Sequence, residues 1–250
     1  MKYTYKSIKE SLPVKKNSNS SWWVKLIIRK LSFVFTYIFI NLGFSPNAVS
    51  VLSIFVAIAG CVCLCVPNTV CLILGIFLIN FWLLLDCVDG NIARCRKRKT
   101  VFGEFVDDIG GYYIEALVYL AIGVCAFEMG GVVFKAENPW ILCMGAVSSI
   151  INILSRLIYK NYCHFAIHAD RSVQEEHTVD DKRSLYYLRN RVSKELGISG
   201  LFMPLLIVGG IFGWYDLITV FYFLFNGFAL LSTTVIYIYR ADRYDATHSK

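Results

Sequence analysis

Charge is scarce in this chain: Asp, Glu, Lys and Arg together make 17% of its 250 residues, against about 25% in soluble domains. That shortage excludes a disordered, self-repelling polymer and argues against an ordinary soluble enzyme. No Cys-x-x-Cys pair occurs and the nine cysteines are odd in number, so neither a zinc ribbon nor a closed disulfide frame is encoded. Cys61, Cys63, Cys65, Cys71, Cys125 and Cys143 lie in apolar runs and read as small buried hydrophobes. No internal repeat is visible, so an inverted-repeat transporter has no support. Residues 1–21 are polar and basic and lack the short apolar core and small-residue cleavage site of a signal peptide.

What is abundant is apolar sequence in long runs. Hydrophobic residues make 56% of the chain and the mean hydropathy is +0.55. A compact core does not need such runs, and the class they indicate is an all-α polytopic membrane protein. The net charge is +7. In a soluble protein this charge, with Arg96-Lys97-Arg98-Lys99, would suggest nucleic acid. In a membrane protein, basic loops mark the cytoplasmic side and touch anionic headgroups, so membrane lipids are expected as partners and nucleic acid is not.

The runs predict six spans, at about 47–66, 69–85, 103–129, 139–163, 199–214 and 217–239. Residues 1–21 read as a cytosolic tail. Residues 22–45 carry an amphipathic pattern, with Lys25 and Arg29 one turn apart and Trp22, Trp23, Leu26, Ile27 and Leu31 on other faces. Its uninterrupted apolar part is too short to span, so it predicts an interfacial helix. The six-helix membrane domain is expected over 46–240, with 164–197 as a cytosolic amphipathic linker and 241–250 as a cytosolic tail. The positive charges agree with this topology. Eight Lys/Arg precede Ser45, five lie between spans two and three, seven follow span four from Lys160, and three end the chain, while the opposite loops hold only Lys135. Both termini are therefore expected in the cytoplasm.

Charges bordering apolar spans are costly and suggest function. Here they concentrate between Asp86 and Glu115. Asp86 and Asp89 are three residues apart and share a helix face. Gly90 and Ala93 leave space beside them, and Asp107 begins the next span four residues after Gly103. Two helix ends thus offer three carboxylates, hard oxygen donors suited to Mg²⁺ or Mn²⁺ with phosphate groups. Arg94 is placed to face a phosphate. The bland alternative, acids paired with Arg94, Arg96 and Lys97, would suffice for any single Asp.

The pattern Asp-x2-Asp-Gly-x2-Ala-Arg-x8-Gly-x3-Asp, read at Asp86, Asp89, Gly90, Ala93, Arg94, Gly103 and Asp107, resembles the signature of the CDP-alcohol phosphotransferases, also called phosphatidyltransferases. Ser45-Pro46-Asn47-Ala48-Val49-Ser50 also looks like the start of that family's first span. The resemblance implies six spans, an N-terminal interfacial helix and a cytoplasmic active site between spans two and three. It implies a CDP-alcohol donor, CDP-diacylglycerol by preference, an alcohol acceptor, release of CMP, and by family analogy a homodimer. It further implies metal held by Asp86, Asp89 and Asp107, with Gly90, Ala93, Arg94 and Gly103 around the nucleotide.

One signature position departs. The family's fourth Asp, a metal ligand and the proposed base, falls at Gly111. Losing a general base typically costs about 10²–10⁴ in rate. Asp108, Glu115 and Glu104 are available substitutes, with Asp108 slightly preferred and Glu115, deeper in the span, in need of an Arg partner. A non-catalytic relative that binds but does not turn over is an open alternative, as is a soluble donor with a lipid acceptor. In span four, Ser148, Asn152, Ser155, Arg156 and Lys160 form a polar stripe. The resemblance suggests a headgroup or acceptor-phosphate pocket at Arg156 and Lys160, and snorkelling to the surface is the alternative. Cys163, His164 and His168 make a weak zinc pattern. Asn80, Asn226 and Asp216 read as packing or loop residues.

Overall fold

A computed structural model describes residues 3–13, 18–97, 100–169 and 185–248, and among these no strand occurs. The described residues are mostly helical. After the short helix α1 (Tyr5–Glu10), a π-helical turn at Val24–Ile28 runs into α2 (Arg29–Asn41). Then come α3 (Pro46–Leu64), α4 (Thr69–Arg96), α5 (Val101–Met129) and α6 (Pro139–Ala169). The last elements are α7 (Leu185–Leu196), α8 (Met203–Phe212), entered through a second π-helical turn at Ile198–Phe202, and α9 (Tyr215–His248). Six stretches are long and apolar enough to cross a membrane: Pro46–Leu64, Thr69–Arg96, Val101–Met129, Pro139–Phe165, Arg189–Phe212 and Tyr215–Arg243. The expected polytopic all-α fold is therefore the observed one.

Local chemistry sets the helix starts. Ser45 caps α3, its Oγ accepting from the Ala48 N–H at 3.1 Å, with Pro46 at the first helical position. Asn68 Oδ1 accepts from the Val70 N–H at 2.8 Å to cap α4, and Thr100 Oγ1 accepts from the Gly103 N–H at 3.0 Å to cap α5.

Two boundaries differ from the hydropathy reading. Helix α4 does not stop near Leu85 but continues through the signature residues to Arg96, where Lys97 turns into the left-handed region (φ 51°). Nothing between Asp86 and Arg96 breaks a helix, so the backbone outruns the apolar run. The described residues of the segment 164–197 are largely helical: α6 continues to Ala169, and Leu185–Leu196 is helical. The part at 170–184 lies outside the described residues.

Glycine contacts allow the closest helix pairings. A Cβ on Gly75 would stand 2.9 Å from the Gly60 carbonyl oxygen, and one on Gly123 would stand 2.8 Å from Gly145 Cα. Such backbone approach is how membrane helices pack without a hydrophobic drive between them. Gly145→Leu is therefore expected to push α6 off α5 and destabilise the fold by about 1–3 kcal/mol. A lowered melting transition in detergent checks this. An unchanged transition would show that the two helices can part without cost.

Helix α2 lies against α4 through a buried polar network. Asn91, 0% exposed, donates from Nδ2 to Ser32 Oγ and to Thr36 Oγ1, both at 3.1 Å. Its Oδ1 accepts from Arg94 Nη2 at 2.5 Å. Buried polar atoms demand partners, so this network fixes the rotation of α2 against the signature helix. Of the nine cysteines, all free, Cys61, Cys87 and Cys125 are buried, while Cys143 is exposed rather than packed inside.

Candidate active site

The last turns of α4 carry most of the signature. Asp89 is buried at 7% exposure, and its Oδ2 accepts from Ser50 Oγ of α3 at 2.6 Å. Asp86 is half-buried and lines two cavities at once. One is a space of about 600 Å³ lined also by Gly111, Glu115, Asn152, Ser155 and Arg156. The other, of about 570 Å³, is lined also by Arg29, Gly90 and Arg94. Both volumes are in the usual range for small-molecule sites. Ala93 is half-buried on the same helix.

The first turn of α5 meets the first turn of α3. A Cβ on Gly103 would stand 2.9 Å from Asn47 Oδ1 and 3.0 Å from Thr100 Oγ1, so the Asn47 side chain packs closely on this glycine. Asp107 and Glu104 are exposed on α5, and neither lines the two cavities. Asp86, Asp89 and Asp107 have the donor chemistry for a hard divalent ion. Among the described residues, however, no group of three or more His, Cys, Asp or Glu is placed to hold a metal. The three acids are thus a pair on α4 and a separate carboxylate on α5.

Gly111 is the most informative position. A Cβ there would stand 2.5 Å from Arg156 Nη1 and 3.2 Å from Nη2. The guanidinium of Arg156 fills the place where the signature's fourth carboxylate would project. It is held on three sides: Nη1 donates to Glu115 Oε1 at 2.9 Å, Nη2 to Asp108 Oδ1 at 3.0 Å, and the cation lies 4.1 Å above the Tyr112 ring. Lys160 Nζ donates to Asp108 Oδ2 at 2.7 Å. Both oxygens of Asp108 are therefore engaged. Glu115 is different: its Oε2 is buried with no donor among the described residues, and the residue lines the larger cavity. The Arg partner that Glu115 needed is Arg156. Lys160 is spent on Asp108 and is not among the residues lining either cavity.

Several polar residues at the cavities escaped the sequence reading. Arg189, Asn190, Ser193 and Lys194 of α7 line the larger cavity. Their spacing, pairs four apart, puts them on one helix face and was the available signal. Arg189 Nη2 donates to Thr233 Oγ1. Arg29, 6% exposed, lines the smaller cavity with Lys194. Nothing in its local pattern distinguished it from Lys25. Asn226 both packs, donating to Ser148 Oγ at 2.8 Å, and lines the larger cavity. Asp216 is a loop clamp, its Oδ2 accepting from the N–H groups of Val133 at 2.7 Å and Phe134 at 2.9 Å. Asn80 is bonded within α4, its Nδ2 donating to the Ile76 carbonyl at 3.0 Å. His164 is exposed, and the side chain of His168 lies outside the described part.

Comparison with known proteins identifies the family. An uncharacterized protein of Aquifex aeolicus (strain VF5) is 35% identical over 80 residues, which is 32% of this chain. The match spans 39% of that relative's length. The profile of the CDP-alcohol phosphatidyltransferases matches residues 44–224, from the first span into the last helix. The chain belongs to the CDP-alcohol phosphatidyltransferase family.

Proposed function

We propose that this protein transfers a substituted phosphate, phosphatidyl from CDP-diacylglycerol, to the hydroxyl of a small alcohol and releases CMP. The observation that carries the reading is the position of Asp86, a signature acid in the wall shared by two cavities. The smaller cavity, with Gly90 and Arg94, suits the donor's nucleotide and phosphates, and neither Ala93 nor Gly103 lines it. The larger one, with Arg156 in its wall, suits the acceptor. The reading takes 46–240 as the catalytic unit, with site and termini facing the cytoplasm.

Asp86 and Asp89 on α4 would be the donors offered to Mg²⁺ or Mn²⁺, which would supply Lewis-acid charge for the diphosphate, while Asp107 stands apart from them on α5. Ser50 orients Asp89 by the 2.6 Å bond it donates. Arg94 binds donor phosphate. The acceptor oxygen forms a bond to the donor's distal phosphorus, the phosphorus–oxygen bond to CMP breaks, and the hydroxyl proton passes to Glu115. Glu115 Oε2 is the oxygen for that proton because Arg156 occupies Oε1 and leaves Oε2 without a donor. Asp108, bonded on both oxygens, serves instead to position Arg156 and Lys160.

The arrangement at Gly111 favours a second reading, a protein that binds the nucleotide without turnover, because a cation stands where a base would. One assay separates the two. Purified protein is supplied with Mn²⁺ or Mg²⁺, CDP-diacylglycerol and pooled small polyols, and CMP is measured. Release that chelator abolishes is the expected result. Release only from a CDP-choline-type donor with diacylglycerol reverses the partners. CDP binding with no release from either donor establishes the non-catalytic reading.

A further inference from the structure

The smaller cavity contains a cation that the signature does not account for. Arg29 begins α2, and Ser32, one turn on, donates from Oγ to the Arg29 carbonyl at 2.9 Å. Ser32 is also the residue that Asn91 grips, so the network between α2 and α4 sets where the Arg29 side chain enters. It enters the cavity that Asp86, Gly90 and Arg94 line. Two guanidiniums, Arg29 and Arg94, thus line the same cavity.

Both are incompletely satisfied. Arg29 is 6% exposed and donates from Nη2 to Ser20 Oγ at 2.8 Å, but its buried Nε has no acceptor among the described residues. Arg94 donates to Asn91 Oδ1, and its buried Nε is likewise without an acceptor. Lys194 adds a third cation to this lining, against the single carboxylate of Asp86. Guanidiniums whose buried Nε donors are open call for an acceptor-rich anion. Their planar forks match phosphate oxygens. Asn19, Ser20 and Ser21 also line this cavity, and the chain there is tied to the far side by Ser21 Oγ donating to the Ser199 carbonyl at 2.5 Å and the Trp22 N–H donating to Glu195 Oε2 at 2.8 Å.

We infer that Arg29 is a phosphate-holding residue, which with Arg94 clamps a phosphoryl group in the smaller cavity. The inference rests on the proposed function for its preferred ligand, the diphosphate of the CDP-alcohol donor. A bilayer phospholipid presents the same phosphoryl chemistry.

Calorimetric titrations on phospholipid-free detergent-solubilised protein separate these sources. CDP, cytidine and dioctanoyl phosphatidic acid are titrated into the wild type, Arg29→Gln and Arg29→Lys. Arg29→Gln is expected to weaken CDP about 10-fold or more, the size of a lost charge-assisted pair. Cytidine, which has no phosphate, should bind both alike. Arg29→Lys keeps the charge without the fork and should fall between. The rise in melting temperature that CDP gives the wild type should shrink in Arg29→Gln, while the ligand-free transition is not lowered, an outcome a purely structural arginine would reverse. Weakening confined to phosphatidic acid would keep the phosphoryl site and assign it to a bilayer lipid. Equal affinities of wild type and both variants for CDP and phosphatidic acid would overturn the inference. A wild type that binds no CDP would defeat the donor reading, and the phosphatidic acid arm would then decide Arg29 alone. Should Arg29→Gln not fold, Arg29→Lys carries the comparison.

Discussion

Asp86→Ala is expected to cut CMP release by about 10²–10³-fold, the usual effect of removing one electrostatic stabiliser of a transition state, or about 3–4 kcal/mol. The melting transition should barely move, because Asp86 is half-buried at a cavity wall rather than packed in the core. Asp89→Ala should lose comparable turnover and stability as well. Its carboxylate is 7% exposed and takes the Ser50 hydroxyl at 2.6 Å. Removing it deletes a charge-assisted hydrogen bond, worth about 1.5–3 kcal/mol, although the Ser50 hydroxyl keeps the Pro46 carbonyl as an acceptor at 3.1 Å. Asp89→Asn keeps an acceptor for Ser50 and should recover the stability but not the turnover. Steady-state CMP release with parallel melting curves distinguishes the variants. Full turnover in Asp86→Ala would remove this carboxylate from the chemistry.

The second large effect is at Arg156. Its side chain is 21% exposed and that of its partner Glu115 is 22% exposed, so the pair is mostly out of water. Arg156→Ala strands Glu115 and half of Asp108, and breaking such a pair from one side costs about 3–5 kcal/mol. Arg156→Met with Glu115→Gln should regain most of that loss, because no net charge then stays buried. A double variant as unstable as Arg156→Ala would show that the pair is not the source of the cost. Gly111→Asp is expected not to raise turnover by itself, since its side chain must compete with a guanidinium already held by Glu115, Asp108 and Tyr112. Together with Arg156→Ala it restores the fourth acid to open space.

The six spans and the signature were legible in the sequence because apolar runs and fixed spacings are local properties. Hydropathy stopped the second span near Leu85, yet the helix runs to Arg96, since helix formation there depends on backbone and propensity rather than on apolarity. The same bias hid α7: its polar face lines a cavity, so the segment looked like a surface linker. Glu115 and Arg156 were each visible as misplaced charges, but their pairing spans 41 residues and belongs to the packing of α5 on α6. Likewise the signature named Asp86, Asp89 and Asp107 without showing that Asp107 is exposed and apart from the cavities. Arg29 carried no local mark, because its importance comes from Asn91 holding α2 in register.

Leu83, Asp86, Lys194 and Ser199 belong to the walls of both cavities. Under the proposed function this shared wall sets the stereochemistry of the reaction. Donor and acceptor sit side by side, so the phosphorus passes from one oxygen to the other in a single displacement. No phosphatidyl-enzyme has to form between them. The configuration at phosphorus is then inverted once, and a chiral phosphorothioate donor would emerge with its handedness reversed.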